Sequence, residues 1–365
     1  MSLAFLSIGT AVPETVIDQK QALTVARALA CPSAEQDTWL PGMYAGTLIE
    51  KRNLVFSKEL VRDVLEGTHH SGSVFLPKYE ATDRGPTTAQ RMEHYQELAP
   101  PLALHASRVA LEGSGRPAEQ ISHLVTVSCT GFFAPGMDRL LVEHLNLPPT
   151  VERTHVGFMG CHGALNGLRV ANAFCQAGGH VLLSAVELCS LHYHYSYNPS
   201  KMIANAIFAD GAASLVGVPN SEAPHAWKVL ATGSTYLPGS SRAMTWNIGD
   251  HGFEMTLSKH VPELIEKHLR PWLDTWLQSH NLSQERIGSW GIHPGGPKIL
   301  TAVEKSLGLS EKDTEISREV FAHHGNMSSP TILFILKRMI ERNRPRPCLL
   351  LGFGPGLVAE AALVG

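Results

Sequence analysis

Between His180 and Val186 the chain reads HVLLSAV, a continuous apolar segment with no in–out alternation. A strand of that kind needs cover on both faces, which a sheet obtains from helices packed above and below it. Ile121 to Ser128 reads as a second buried strand, and Thr88–Ser114 and Met137–Leu145 carry the apolar stripes of helices. The alternation defines a mixed α/β chain built in layers. With 365 residues and 44% apolar content, it can bury one large core or two fused medium ones.

The other stretches fit that layering. Residues 3–9 read as a first strand, and Ile17–Ala30 as a helix with Asp18 near its start. TLIEKRNLVF, ending at Phe56, reads as a strand, and Glu66–Pro86 as a long polar surface loop. IFADGAASLVGV, at 207–218, is a strand that closes a first half; a second half, from about Ala223, alternates strands and helices again. The division falls at 1–220 and 221–365, and no internal repeat is visible in the letters.

A formal net charge of −3 argues against nucleic acid or a polybasic membrane anchor as partner. Cys31, Cys129, Cys161, Cys175, Cys189 and Cys348 show no CxxC pair and no regular spacing, the pattern of reduced thiols in a cytosol. The N-terminal MSLAFLSIGTAVPE has neither a basic region nor a long apolar stretch, and no later segment is long enough to span a bilayer. A soluble, cytoplasmic protein is expected.

Chemistry concentrates in three places. Val156–Cys175, VGFMGCHGALNGLRVANAFC, sets Cys161 where an extended segment turns into a helix, among Gly160, Gly163, Ala164 and Gly167. The positive end of a helix favours thiolate over thiol. A cysteine in a small-residue seam also serves as core packing; two further stretches weigh against that. In WGIHPGGPKIL an apolar strand delivers His293 into a Pro-Gly-Gly turn, where glycines let backbone approach a ligand closely. In FAHHGNMSSP, Gly325 and Asn326 end one segment and open a helix entry. A thiol, an imidazole and a carboxamide, far apart in sequence and each at an element end, suit thioester chemistry. The histidine-rich HYHYSY at 192–197 lacks the HExxH or Cys/His spacing of a metal site, so no metal is assigned; its rings are expected to pack over a cavity.

These motifs, GCHGALNGLR, IFADGAA, IHPGGPKIL, HGNMSSPTILFIL and a closing GFGPGLVAE, resemble the type III polyketide synthases, the chalcone synthase-like enzymes of the thiolase-fold condensing group. The resemblance runs from about residue 40 to the end. It implies a thiolase-like fold of two fused similar halves in a five-layer αβαβα arrangement, a homodimer, acyl thioester substrates and no cofactor. It also implies a mechanism: Cys161 takes a starter acyl group from its thioester, with His293 sharing its proton and keeping the sulfur as thiolate. His293 and Asn326 then hold malonyl-CoA while it decarboxylates to the attacking enolate. The chain finally closes to a pyrone, a resorcinol or a phloroglucinol.

By the same resemblance Phe208 and Met255 match gatekeepers between thioester tunnel and cavity. Trp246 stands where a volume-setting glycine stands in plant enzymes, which favours slim acyl starters over bulky ring-bearing ones. Glu187, Ser328 and Cys129 occupy positions of a network that influences ring closure, with a weak thiol donor in place of a threonine. A position near His192 lines the elongation pocket, and a methionine that plant enzymes insert across the dimer aligns with Ala134. The basic residues that hold coenzyme A phosphates are replaced by Trp39, Gly42 and Gly46. Lys51, Arg52 and Lys298 offer substitutes, and an acyl carrier protein is an alternative source of the acyl group. Two rival readings stand beside this one: a single-condensation 3-ketoacyl-acyl carrier protein synthase III, and a non-catalytic acyl-binding homologue.

Overall fold

The structure is a computed structural model that describes residues 1–30 and 32–365. The reading of Cys31 as a reduced thiol lies outside the described residues; Cys129, Cys161, Cys175, Cys189 and Cys348 are free.

The first half begins with β1 (Leu3–Ala11), then a ribbon of β2 (Thr15–Asp18) and β3 (Lys51–Leu54) framing α1 (Gln19–Ala30), α2 (Ala34–Asp37) and α3 (Leu40–Ala45). Ile17 and Asp18 are strand rather than helix. The β-branched run Thr15-Val16-Ile17 alternates buried and exposed, and Asp18 then accepts the Gln21 N–H at 2.8 Å to start α1. α4 (Lys58–Glu66) and the loop after it lead to α5 (Thr88–Ser114). A reciprocal Thr87–Gln90 cap opens α5, and Gly115 in the left-handed region closes it. There follow β4 (His123–Ser128), α6 (Met137–Leu145), β5 (Glu152–Gly157), α7 (Gly163–Gln176), β6 (Val181–Leu188), α8 (Pro199–Ile207) and β7 (Asp210–Pro219). β7 starts at Asp210 rather than 207, because Phe208 still donates its N–H to Ala204 O as the cap of α8.

The second half runs β8 (Val229–Tyr236), the hairpin β9 (Met244–Gly249) and β10 (Gly252–Leu257), α9 (Val261–Ser279), β11 (Ser289–Ile292), α10 (Pro297–Leu307), α11 (Glu315–His324), α12 (Thr331–Glu341), β12 (Cys348–Gly354) and β13 (Val358–Val364). Two main sheets form, in the orders β1-β7-β6-β4-β5 and β11-β12-β13-β8. In each, the half's first strand pairs antiparallel with its last, that strand pairs antiparallel with the next, and the next pairs parallel with the fourth. The repeat absent from the letters is therefore present in topology, with β5 as the extra strand.

α7 touches β4, β6 and β13, while α12 touches β7, β11, β12 and α7, so these two helices form a middle layer between the sheets. α5 covers the outer face of the first sheet, and the apolar stripe of α9 packs with α10 on the second. The order is αβαβα, the thiolase-like arrangement. No helix of the described residues is long and apolar enough to cross a membrane.

Candidate active site

The middle layer sets the site, because both of its helices begin there. Between β5 and α7 the chain turns through Phe158 and Gly160 at positive φ. A Cβ on Gly160 would stand 2.4 Å from Pro355 Cδ, so only glycine lets this turn close against the GFGPG loop. The turn places Cys161 in a short 3₁₀ segment directly ahead of α7, which has no side-chain cap. From the other half, Asn326 is pinned by its backbone: its N–H donates to Ile207 O at 2.8 Å and its carbonyl accepts from Ala209 N at 2.9 Å. Asn326 Oδ1 accepts the Ser328 N–H at 2.8 Å, which turns Nδ2 toward Cys161 Sγ at 3.9 Å. His293 follows β11, its N–H donating to Leu351 O at 2.8 Å. Its ring is buried and neither ring nitrogen has a partner among the described residues. Two orphaned nitrogens in a cavity wall are donors and acceptors held for a ligand.

Cys161, His293 and Asn326 line one cavity of about 40 Å³, room for only a few waters. Cys129, Phe208, Trp246, Met255, Ile299, Ser328 and Phe353 complete much of its wall. Burial pushes the Cys161 thiol up to about 11 against hydrogen bonds from Ser328 and Asn326, and burial pushes His293 down to about 3. Burial thus favours a thiol and a neutral imidazole, against the helix end that favours thiolate.

Phe208 lines the cavity from the start of the link between α8 and β7, where it bridges to Asn326. Met255 and Trp246 face each other in register across the β9–β10 hairpin. Trp246 Nε1–H donates to Cys129 O at 2.8 Å, fixing the indole as a plug. His192 is not on this wall. It lies in a neighbouring pocket of about 20 Å³, stacked on Phe253 at 4.2 Å, with one ring nitrogen on Thr130 O at 2.7 Å and the other accepting from Phe253 N at 2.9 Å. Both of its nitrogens are occupied, and its pocket shares Cys189, Phe208, Trp246 and Met255 with the Cys161 cavity. The tyrosines after it turn inward: Tyr193 OH donates to Phe208 O at 2.8 Å and Tyr195 OH to Phe75 O at 2.6 Å.

Glu187 sits behind Cys129 and accepts from Cys129 N at 2.9 Å, Thr130 Oγ1 at 2.7 Å and Ser329 Oγ at 2.5 Å. Ser328 Oγ meets Cys129 Sγ at 3.4 Å and has no bond to Glu187. The three network positions are thus joined only through Cys129, whose N–H and thiol face Glu187 and whose thiol meets Ser328.

A wider groove of about 740 Å³ adjoins the cavity through Gly295 and Ile299. Trp39, Gly42 and Gly46 lie along it, as does Lys298. Arg52 does not. It is fully buried, donating to Asn205 O at 2.8 Å, Phe208 O at 3.0 Å and Gln19 Oε1 at 3.0 Å, so it caps the end of α8 and is unavailable to a phosphate. Lys51 is exposed on β3 opposite Asp18, away from the groove. Lys259, in the loop before α9, does line the groove. Sequence reading missed it because a single lysine in a loop carries no pattern. Among the described residues no cluster of three or more His, Cys, Asp or Glu could hold a metal.

A thiol, an imidazole and a carboxamide on one small cavity between the halves of a thiolase-like fold define an acyl-transferring condensing enzyme. Comparison with known families makes this specific. Residues 2–219 match the N-terminal domain of chalcone and stilbene synthases, and residues 228–365 match the C-terminal domain. The chain belongs to this family, the type III polyketide synthases, and is an acyltransferase. It is 29% identical to the "Alpha-pyrone synthesis polyketide synthase-like Pks18" of Mycobacterium tuberculosis, over 98% of this chain and 89% of that one. The crystal structure of PKS-I from the brown alga Ectocarpus siliculosus superposes with a TM-score of 0.89 at 31% identity, covering 100% of this chain and 98% of that chain. The C-terminal type III polyketide synthase domain of Steely1, a type I/III hybrid from Dictyostelium, gives 0.88 at 27% identity, covering 100% and 99%.

Proposed function

We propose that this enzyme extends a slim aliphatic acyl starter with a small number of malonyl units and releases the product as an α-pyrone. The observation that carries the reading is the Trp246 plug: three reactive side chains share a cavity of about 40 Å³ that the indole closes, next to a groove of about 740 Å³. Little growth is possible behind the thiol unless the plug moves.

Neutral His293 takes the Cys161 proton as sulfur attacks the starter thioester; the carrier thiol leaves with a proton, and the acyl group stays on sulfur. Malonyl thioester then occupies the same place. His293 and Asn326 donate to its thioester carbonyl, so that loss of carbon dioxide leaves an enolate whose oxygen is stabilised. The enolate carbon attacks the acyl-Cys161 carbonyl, the C–S bond breaks, and the thiolate is reprotonated. Phe208 and Met255 keep water from the acyl-enzyme.

The lactone ending is favoured by the separation of Ser328 from Glu187. The carboxylate accepts from Cys129 N, Thr130 and Ser329, and it is joined to Ser328 only through the Cys129 thiol, a weak donor, so the relay available to activate water or steer ring carbon chemistry is a poor one. An enol oxygen attacking the thioester carbonyl needs none. The related mycobacterial protein named for α-pyrone synthesis agrees with this ending.

The test is incubation of pure protein with malonyl-CoA and a chain-length series of acyl-CoA starters, with products identified by mass and Cys161→Ala as control. Triketide pyrones from straight-chain starters are expected, lengthening in Trp246→Gly. Resorcinols as the main product would refute the lactone ending, and single-extension products would refute iteration.

A further inference from the structure

Three free cysteines line the cavity of about 40 Å³: Cys129, Cys161 and Cys189. The topology sets two of them side by side. β4 and β5 run parallel with Ser128 opposite Gly157, so Cys129 and Cys161 leave the same ends of neighbouring strands. One hydroxyl joins their sulfurs: Ser328 Oγ meets Cys129 Sγ at 3.4 Å and also hydrogen-bonds the Cys161 thiol. Cys189 has no hydrogen bond to Ser328 among the described residues. Each sulfur of the pair also has a proton acceptor nearby. The Cys129 thiol faces the Glu187 carboxylate, and Cys161 shares its cavity with the unpartnered His293 imidazole. The condensation described above uses one of these thiols and leaves the other without a task.

We infer that Cys129 is a resolving thiol for Cys161: hydrogen peroxide converts the nucleophile to a sulfenic acid, and Cys129 closes a disulfide that leaves the enzyme inactive but recoverable. Peroxide is little larger than water and enters a cavity with room for a few waters. The Cys161 sulfur attacks one peroxide oxygen, the O–O bond breaks, and the thiol proton leaves with the other oxygen as water. The Cys129 sulfur then attacks the Cys161 sulfur, and the S–O bond breaks. The Cys129 proton, passed through Glu187, leaves with that oxygen as a second water. Two thiols and one peroxide thus give one disulfide and two waters. Burial keeps both thiols protonated and slows the first step. Once it has occurred, a thiol held on the same hydroxyl reacts within the molecule, ahead of a second peroxide from solution. A disulfide returns the nucleophile to a thiol reductant, whereas a sulfinic acid does not.

The experiment treats the pure protein with hydrogen peroxide, unfolds it in iodoacetamide, and maps the digested peptides by mass, with and without dithiothreitol before the unfolding step. In wild type a Cys129–Cys161 linked peptide should appear, lighter by two hydrogens than its separate parts, and dithiothreitol should remove it and restore the free thiol at Cys161. In Cys129→Ser and in Cys129→Ala, Cys161 should instead gain two oxygens, and dithiothreitol should not recover it. Cys189→Ser should behave as wild type. Sulfinic acid on wild-type Cys161 without a link to Cys129 overturns the inference, as does a link from Cys161 to Cys189 or a Cys161 thiol that peroxide leaves unchanged. These readouts are covalent and stand apart from whichever product the enzyme makes.

Discussion

Cys161 and His293 are moved by burial in opposite directions, the thiol up to about 11 and the imidazole down to about 3. Between those values the proton sits on sulfur and the ring is neutral. The positive ends of α7 and α12 pull the other way, but a helix end contributes about 1 kcal/mol, less than one pKa unit. Desolvation wins in the free enzyme. Alkylation of Cys161 by iodoacetamide, read by mass, should therefore climb about tenfold per pH unit from 7 to 10, as thiolate fraction rises. Cys129 and Cys189 are pushed well above the ordinary thiol range and add nothing in that window. A rate that levels off below pH 8 would show instead a standing thiolate–imidazolium pair.

At the scale of elements, α3 presents an uncharged wall to the groove. A Cβ on Gly42 would meet nothing within 4 Å, so a side chain fits there on the groove wall. Gly42→Lys should lower KM for coenzyme A thioesters several-fold by facing Lys259 and Lys298 with a third cation, and it relieves a helical glycine by about 1 kcal/mol. A raised KM would mean that the ligand already occupies that space. Where local chemistry decides an element, the letters told it well. α5 and α6 were readable end to end, because Thr87, Gln90, Gly115 and Asn146 are cap residues acting within a turn of their own position. Cys161, His293 and Asn326 were legible for a similar reason, each beside a glycine-bearing turn. Arg52 was not, since its partners at Asn205 and Phe208 lie across the fold and strand alternation says nothing of a buried cation satisfied by carbonyls. The placing of His192 was hidden for the same reason: Phe253, brought over it by a distant hairpin, holds it in the pocket next to the Cys161 cavity.

For the molecule as a whole, the unmatched strand β5 is an open edge of the first sheet, and Phe132 and Met159 beside it are large apolar side chains more than a third exposed. An edge of this kind is covered or it aggregates. A second copy related by a two-fold axis can pair β5 with β5. Light scattering should return twice the chain mass, 79.2 kDa from two chains of 39.6 kDa, and Phe132→Asp should shift it toward monomer. A wild-type mass of one chain at micromolar concentration would remove this interface.

The central position of α7 also bears on how the protein is born. Its far side packs on the second sheet and on α12, which are synthesised last. A nascent chain that has reached Pro219 holds its nucleophile but not the imidazole or carboxamide, and one flank of the helix behind that nucleophile is bare hydrocarbon. Such a chain is a natural client for a holding chaperone. On the mechanism proposed above it also lacks the two groups that hold a malonyl thioester, so condensation waits for the second half to fold.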